Sequence, residues 1–347
     1  MDFQKTIQAS CDQGFSCAHL LLNSALKLIG DDGRQIALPS RIKKIYVLCV
    51  VADHYPALSF QSRQFLKFIP DERIAAPFVM DVFLVDAMTE MLDSPLYLLS
   101  YIARRTEVDG KLVSSHELNT LGYHLKQNLW IRDDADFVML DDDIGTDLNL
   151  SMLVRRENLP GPWTPPEILT KLQDTTLGKI LKQIKSVTNP SMIGFGFAIL
   201  TLNEDTFLEF SKSIDEFARR AKLDRRMHDI TIQMAGGGLG LTVHCGYTPL
   251  SEAKKVLLAH CAKRKYTQKA EGWFGIAVHP DTAEVRLGVS LELAWKFDEG
   301  MAELTKNMAQ PAKYQEGIRK FLKQIKVGRN EPCPCGSGMK SKKCCSS

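Results

Sequence analysis

Residues 159–166 read LPGPWTPP, four prolines and a glycine in eight positions. Proline offers no backbone N–H and fixes its own φ, so this stretch can continue neither a helix nor a central strand. It divides the 347-residue chain into parts that must each bury a core of their own. At about 150 residues per domain the length also points to two. The sequence therefore predicts an α+β protein with two domains of mixed helix and strand content, residues 1–158 and 167–310, joined by the Pro-rich linker 159–166. A basic amphipathic helix, 311–326, and a small cysteine-rich knuckle, 327–347, follow.

Within the first part, residues 1–30 read as a helix stopped by Gly30, and residues 45–51 as a short buried strand. Phe78, Val82, Val85, Met88 and Leu92 recur at helical spacing. Ser94 caps a second helix with Pro95 at its first position. Ser114 and Glu117 have the spacing of a capping box. Residues 137–140 and 148–154 read as two strands around an acidic loop. In the second part Thr164, Pro165 and Glu167 open a helix expected to run to about Ser186. The order then reads β-α-β-β-α-β-β: a strand at 192–202, a helix capped by Asn203, a hairpin of 230–234 with 239–245, a helix from Ser251 to Lys265, and a hairpin of 273–279 with 285–293. That order predicts a mixed or antiparallel sheet covered by helices.

Hydrophobic residues make up 44% and charged residues 24% of the chain. Those fractions exclude a mainly disordered, collagen-like or coiled-coil chain. The longest apolar run, residues 45–52, is eight residues, far short of the ~20 a membrane helix needs. The opening MDFQKTIQASCDQGF has no basic region followed by an apolar one, so the reading is a cytoplasmic protein. Charge is unevenly placed. From Pro311 onward nine Lys/Arg face two Glu, a local +7 that leaves −4 on the rest of a chain whose net charge is +3. A basic tail on a slightly acidic body suits an anionic partner; the alternative is a solvated helix face and a loose end.

Nine cysteines are spread unequally. Cys11, Cys17, Cys49, Cys245 and Cys261 sit in apolar patterns and read as reduced thiols packed as small hydrophobes. Cys333, Cys335, Cys344 and Cys345 fall within thirteen residues with the spacing C-x-C-x8-C-C. Gly336-Ser337-Gly338 turns the chain between the two pairs. Four thiolates on two arms of a tight turn suit one tetrahedral Zn²⁺ ion. Lys340, Lys342 and Lys343 offset the negative charge of such a centre and favour thiolate over thiol. The segment is too short to order itself by burial, so metal binding would supply its folding energy. Disulfides between near-adjacent cysteines are geometrically awkward.

These residues, with Gly328-Arg329-Asn330 ahead of them and the run Pro332-Cys333-Pro334-Cys335-Gly336-Ser337-Gly338, resemble the SEC-C motif, the zinc-binding tail of SecA-type translocase ATPases that also occurs on many unrelated bacterial proteins. The resemblance maps the family's ligands onto Cys333, Cys335, Cys344 and Cys345. The chain departs from the usual pattern at Met339, where Lys is common, and at Ser341, where an aromatic is common. No G-x-x-x-x-G-K-[ST] loop occurs, so no translocase motor is read here. The resemblance implies a docking module, since such tails engage a chaperone, the ribosome or acidic lipid. In the lead-in helix Ile318, Phe321, Leu322 and Ile325 form a stripe, with Arg319, Lys320, Lys323 and Lys326 mostly off it.

The function read from the sequence is a zinc-binding, SEC-C-type adaptor. Its Arg319, Lys320, Lys323, Lys326, Lys340, Lys342 and Lys343 would dock onto a protein, the ribosome or nucleic acid. The alternative is a metal-dependent nuclease or other phosphoryl hydrolase built on Asp141, Asp142 and Asp143, part of an acidic run that also includes Asp133, Asp134, Asp136 and Asp147. A solvated acidic hairpin accounts for the same residues. His244-Cys245 and His260-Cys261, with His228 and His279, suggest a second metal site or a Cys–His nucleophile. Strand alternation instead places Cys245 in the core and His244 on the opposite face. Gly236-Gly237-Gly238-Leu239-Gly240 reads as a hairpin turn rather than a phosphate loop. Lys263, Arg264 and Lys265 beside Tyr266 and Trp273 form either a nucleic-acid patch or an ordinary cationic helix C-terminus.

Overall fold

The computed structural model describes residues 3–23, 26–38, 42–52, 61–131, 135–166, 168–187, 189–234, 238–308 and 312–313. It has mixed α and β content, in two compact units, Met1–Ile168 and Leu169–Ser347. Of the basic helix read from the sequence at 311–326 only Ala312 and Lys313 are described, and they form a short strand rather than a helix; the cysteine knuckle, 327–347, lies outside the described residues.

The first unit begins with a π-helical turn, Gln4–Gln8, that runs into α1 (Ala9–Leu21). Leu28 and Ile29 are not helical: they form β1 (Leu28–Ile29), paired antiparallel with β2 (Gln35–Ile36). β3 (Leu48–Val51) pairs in parallel with β4 (Phe78–Asp81). The helical spacing that begins at Phe78 holds only from Val82, where Asp81 accepts from the Leu84 amide at 2.8 Å and caps α2 (Val82–Met91). Ser94 caps α3 (Pro95–Glu107), with Pro95 at its first position. β5 (Leu112–Val113) lies parallel to β6 (Val138–Met139), with α4 (Glu117–Gln127) between them in sequence.

Residues 148–154 belong to a helix, α5 (Thr146–Glu157), not to a strand. The alternation of Leu148, Leu150, Met152 and Val154 is incidental; Leu148, Ser151, Met152 and Val154 are buried while Leu150 and Leu153 are exposed, so the helical period wins. The β3–β4 pair separates two apolar clusters. Cys49 and Val79 pack with Ile7, Cys11, Phe15 and Ala18 of the N-terminal helix, whereas Phe78 and Met80 pack with α2, α3 and α4.

The capping box is absent. His116, not Ser114, precedes α4, and no side chain caps it. Glu117 is instead buried against Arg105 of α3, which donates from Nε at 3.0 Å and from a second guanidinium nitrogen. A buried guanidinium without a carboxylate would be costly, and that demand outweighs a local cap.

α6 (Ile168–Leu172) spans the boundary between the two units in sequence. The single helix expected to reach Ser186 is broken after Leu172, and Thr175 caps a new helix, α7 (Thr176–Ile184), by accepting from the Gly178 amide. The Gly178 Cα stands so close to the Leu172 carbonyl that a Cβ there would lie 2.1 Å from its oxygen. The predicted strand at 192–202 is a helix, α8 (Pro190–Leu200). Its continuous apolar run is buried at Phe195, Ala198, Ile199 and Leu200, and Asn189 caps it through the Ser191 amide at 2.9 Å. Asn203 caps α9 (Glu204–Asp224). The first β of the expected order is therefore α-helical.

The rest of the second unit follows the predicted order. β7 (His228–Gln233) and β8 (Leu239–Cys245) form an antiparallel hairpin. α10 (Leu250–Thr267) then crosses over to β9 (Gly272–Val278), which lies parallel to β8. β9 turns back into antiparallel β10 (Val285–Leu291). After α11 (Glu299–Thr305), β11 (Ala312–Lys313) adds in parallel beside β7. The mixed sheet has the order β10-β9-β8-β7-β11. α10 covers one face, where Trp273 and Ala277 meet Leu257 and Cys261. α8 covers the other so closely that Gly194 lies against the ring of Phe274.

Candidate functional site

Cys333, Cys335, Cys344 and Cys345, with Arg319, Lys320, Lys323, Lys326, Lys340, Lys342 and Lys343, lie outside the described residues. Four thiolates fit one Zn²⁺ ion and leave no coordination position for a water. Ala312 and Lys313, within the basic segment read from the sequence, register in parallel with Ile232 and Gln233.

Asp133 and Asp134 also lie outside the described residues. Asp141, Asp142 and Asp143 are exposed, the last two in a single 3₁₀ turn, Asp142–Gly145, ahead of α5. Asp142 is committed elsewhere: Ser115 and Asn119 both donate to it, the latter at 2.8 Å, and hold its carboxyl below the usual carboxylate range. Asp147 pairs with Lys126 at 2.8 Å. Among the described residues no three His, Cys, Asp or Glu side chains are grouped to hold a metal ion. Asp142 and Asp147 tie the loop to α4 through Asn119 and Lys126.

The four histidines of the second unit do not converge. His228 pairs with Asp224 at 3.0 Å and stacks on Phe217; His279 packs edge-on against Tyr247. Only His244 and His260 meet, with Nε2 of the first 2.8 Å from Nδ1 of the second. The alternation on β8 is as expected, yet His244 is buried, because α10 covers the face opposite Cys245. Arg264 Nε donates to His260 Nε2 at 3.0 Å, and Asp229 of β7 approaches the same nitrogen at 3.7 Å. Burial holds His244 at about 3, helped by His260.

No Cys–His nucleophile forms. Burial pushes the Cys245 thiol up to about 11 and the Cys261 thiol up to about 12, whereas a nucleophilic thiol needs a lowered pKa. The basic–aromatic patch is partly drawn inward. Trp273 is fully buried and donates to Thr242 at 2.9 Å, Lys265 is buried, and Arg264 is engaged with His260. The glycine run has a packing reason at Gly240, where a Cβ would sit 2.3 Å from the Trp273 ring.

A pattern search for catalytic residues misses two cavities in the second unit. One, of about 370 Å³, opens where the parallel strands β8 and β9 end, at Cys245 and Val278, and is lined by Lys179, Asp215, Lys222 and Asp281. Burial raises Asp215, while Tyr247 and Lys222 hold Asp281 low. The other, of about 210 Å³, borders His244, Glu252 and Arg286. The contributing residues are far apart in sequence, so no local motif marks either cavity.

The C-terminal residues 329–347 match the SEC-C motif. Segments of the chain are similar to protein translocase subunit SecA from several bacteria. The match to the Caldicellulosiruptor saccharolyticus protein is 38% identical over 68 residues, 20% of this chain and 8% of that one. The match to Carboxydothermus hydrogenoformans SecA is 60% identical over 32 residues, 9% and 4% of the two chains; that to Syntrophotalea carbinolica SecA is 85% identical over 20 residues, 6% and 2%. The chain thus spans less than a tenth of the length of these relatives. No solved structure matches it. Among the described residues no helix is long and apolar enough to cross a membrane.

Proposed function

We propose that this chain is a cytoplasmic zinc-binding adaptor, in which a SEC-C tail is carried by an α+β body and docks it onto a protein, the ribosome or nucleic acid. The observation that carries this reading is the set Cys333, Cys335, Cys344 and Cys345 inside the matched motif, directly after a strongly basic segment. Cys333, Cys335, Cys344 and Cys345 would hold the ion as thiolates. The ion supplies local folding energy, and its closed coordination sphere gives a structural role. Arg319, Lys320, Lys323 and Lys326, then Lys340, Lys342 and Lys343, provide the electrostatic attraction to an anionic surface. The hydrolase reading at Asp141, Asp142 and Asp143 gains no support, since Asp142 is engaged by Ser115 and Asn119.

The test is photo-crosslinking in cells from a reactive residue placed at position 342. A discrete protein or RNA adduct is expected, and it should disappear when Cys344 and Cys345 are both serine. No adduct, or one indifferent to those changes, contradicts the adaptor reading.

A further inference from the structure

Cys11 of α1 and Cys49 of β3 meet inside the first unit with their sulfur atoms 3.3 Å apart, although they are 38 positions apart in sequence. Both are buried, in the cluster that also contains Ile7, Phe15, Ala18, Val47, Ile74 and Val79. A disulfide needs a sulfur separation of about 2.05 Å, so closure requires a shift of little more than 1 Å. α1 and β3 supply one sulfur each, so the bond would staple the N-terminal helix to the sheet it covers.

The setting favours reaction with a small reagent. Cys49 is 7% exposed and lies between Leu48 and Val50, which are 43% and 53% exposed on the other side of a two-stranded sheet. It is therefore one pleat from solvent, on a thin element. Either sulfur can donate the hydrogen bond between them. With Cys11 as the donor, the bond favours ionisation of Cys49 against the opposing effect of its burial, and together with burial it pushes the Cys11 thiol up. A thiolate beside a thiol donor is the arrangement in which one sulfur attacks and the other resolves.

We propose that Cys11 and Cys49 form a redox-active dithiol that a small hydroperoxide oxidises to an intramolecular disulfide. Cys49 thiolate attacks a peroxide oxygen. The O–O bond breaks, a sulfenic acid forms on Cys49, and the departing hydroxide, or alkoxide from an alkyl hydroperoxide, takes a proton to become water or the alcohol. Cys11 then gives up its proton and attacks the Cys49 sulfur; the S–S bond forms as the S–O bond breaks and water leaves. Two thiols lose two electrons and two protons, and with hydrogen peroxide as oxidant two waters are produced. A thiol reductant reverses the change by exchange.

The experiment treats the full-length protein with hydrogen peroxide, blocks remaining thiols under denaturing conditions, and maps peptides without reduction. The expected product is a peptide pair joined through Cys11 and Cys49, two hydrogen masses below the sum of its parts and restored by dithiothreitol. The exposed Cys17 serves as an internal control for unselective oxidation. In Cys11→Ser, Cys49 should stop at a sulfenic acid that dimedone traps. Should that variant fail to fold, the wild-type map decides alone. The proposal is overturned if Cys11 and Cys49 are recovered blocked while Cys17 is oxidised, if either links to another cysteine instead, or if sulfinic acid accumulates on Cys49 without a linked pair.

Discussion

His260 donates its Nδ1 proton to His244 Nε2 across 2.8 Å, and Arg264 fixes that direction. The guanidinium only donates, so His260 Nε2 must accept from it, which places the ring proton on Nδ1. His244 then accepts at Nε2 as a neutral imidazole. A chain of one donor and two neutral rings can be buried between sheet and helix where two imidazolium ions could not.

The same condition makes the protein acid-sensitive. His244 is held at about 3 by burial and by His260, and His124 of α4 at about 3 by burial and by Arg104, against an unfolded value of 6.5. Between those limits the unfolded chain takes up protons that the folded chain refuses. Stability is therefore complete above about pH 6.5 and declines as pH falls toward 3, by about 1.4 kcal/mol per pH unit for each histidine well inside the window. Urea unfolding at pH 7 and pH 5 should show a loss on the order of 2 kcal/mol per histidine. His124→Phe should flatten the acid limb of the first unit. An unfolding midpoint unchanged between the two pH values contradicts this.

Arg105 is 2% exposed and is paired with Glu117 as well as with Asp109 at 2.7 Å. Removing the Glu117 carboxylate leaves a buried cation underpaired. Glu117→Ala is expected to cost about 3–5 kcal/mol, and the double replacement of Arg105 and Glu117 by leucine much less. Denaturant titration of the two variants checks this; a single-variant cost below about 1 kcal/mol would show that the pair carries little.

Gly240 lies beneath Trp273, so Gly240→Ala drives a methyl group into an indole ring that is already hydrogen-bonded to Thr242. The expected cost is about 1–3 kcal/mol, with weakened Trp273–Thr242 contact visible in the near-ultraviolet circular dichroism. Wild-type stability and spectrum would mean that the ring has room to move.

The legible parts of the fold were those with a local physical signature. Ser94 with Pro95, and Asn203 before an amphipathic run, are caps whose partners lie three residues away. The hairpins on β7–β8 and β9–β10 were marked by alternation and turn residues. Residues 192–202 misled because a helix apolar on nearly every side carries no periodic contrast. Residues 148–154 misled because a short segment satisfies both periods at once. The Arg105–Glu117 pair, the His260–His244 contact and the two cavities join distant residues, so their geometry is tertiary and no spacing announces it. The SEC-C motif at 329–347 was legible for the opposite reason: its four cysteines lie within thirteen residues, so the pattern is local.

The central claim is tested most directly by counting metal in the purified full-length protein and in a chain ending at residue 326. Inductively coupled plasma mass spectrometry should find one zinc per full-length chain and none in the shortened one. Cys344→Ser with Cys345→Ser should lose the ion while leaving the fold of the body intact by circular dichroism. A full-length protein devoid of zinc when prepared without chelator, or zinc retained after the tail is removed, would contradict the account.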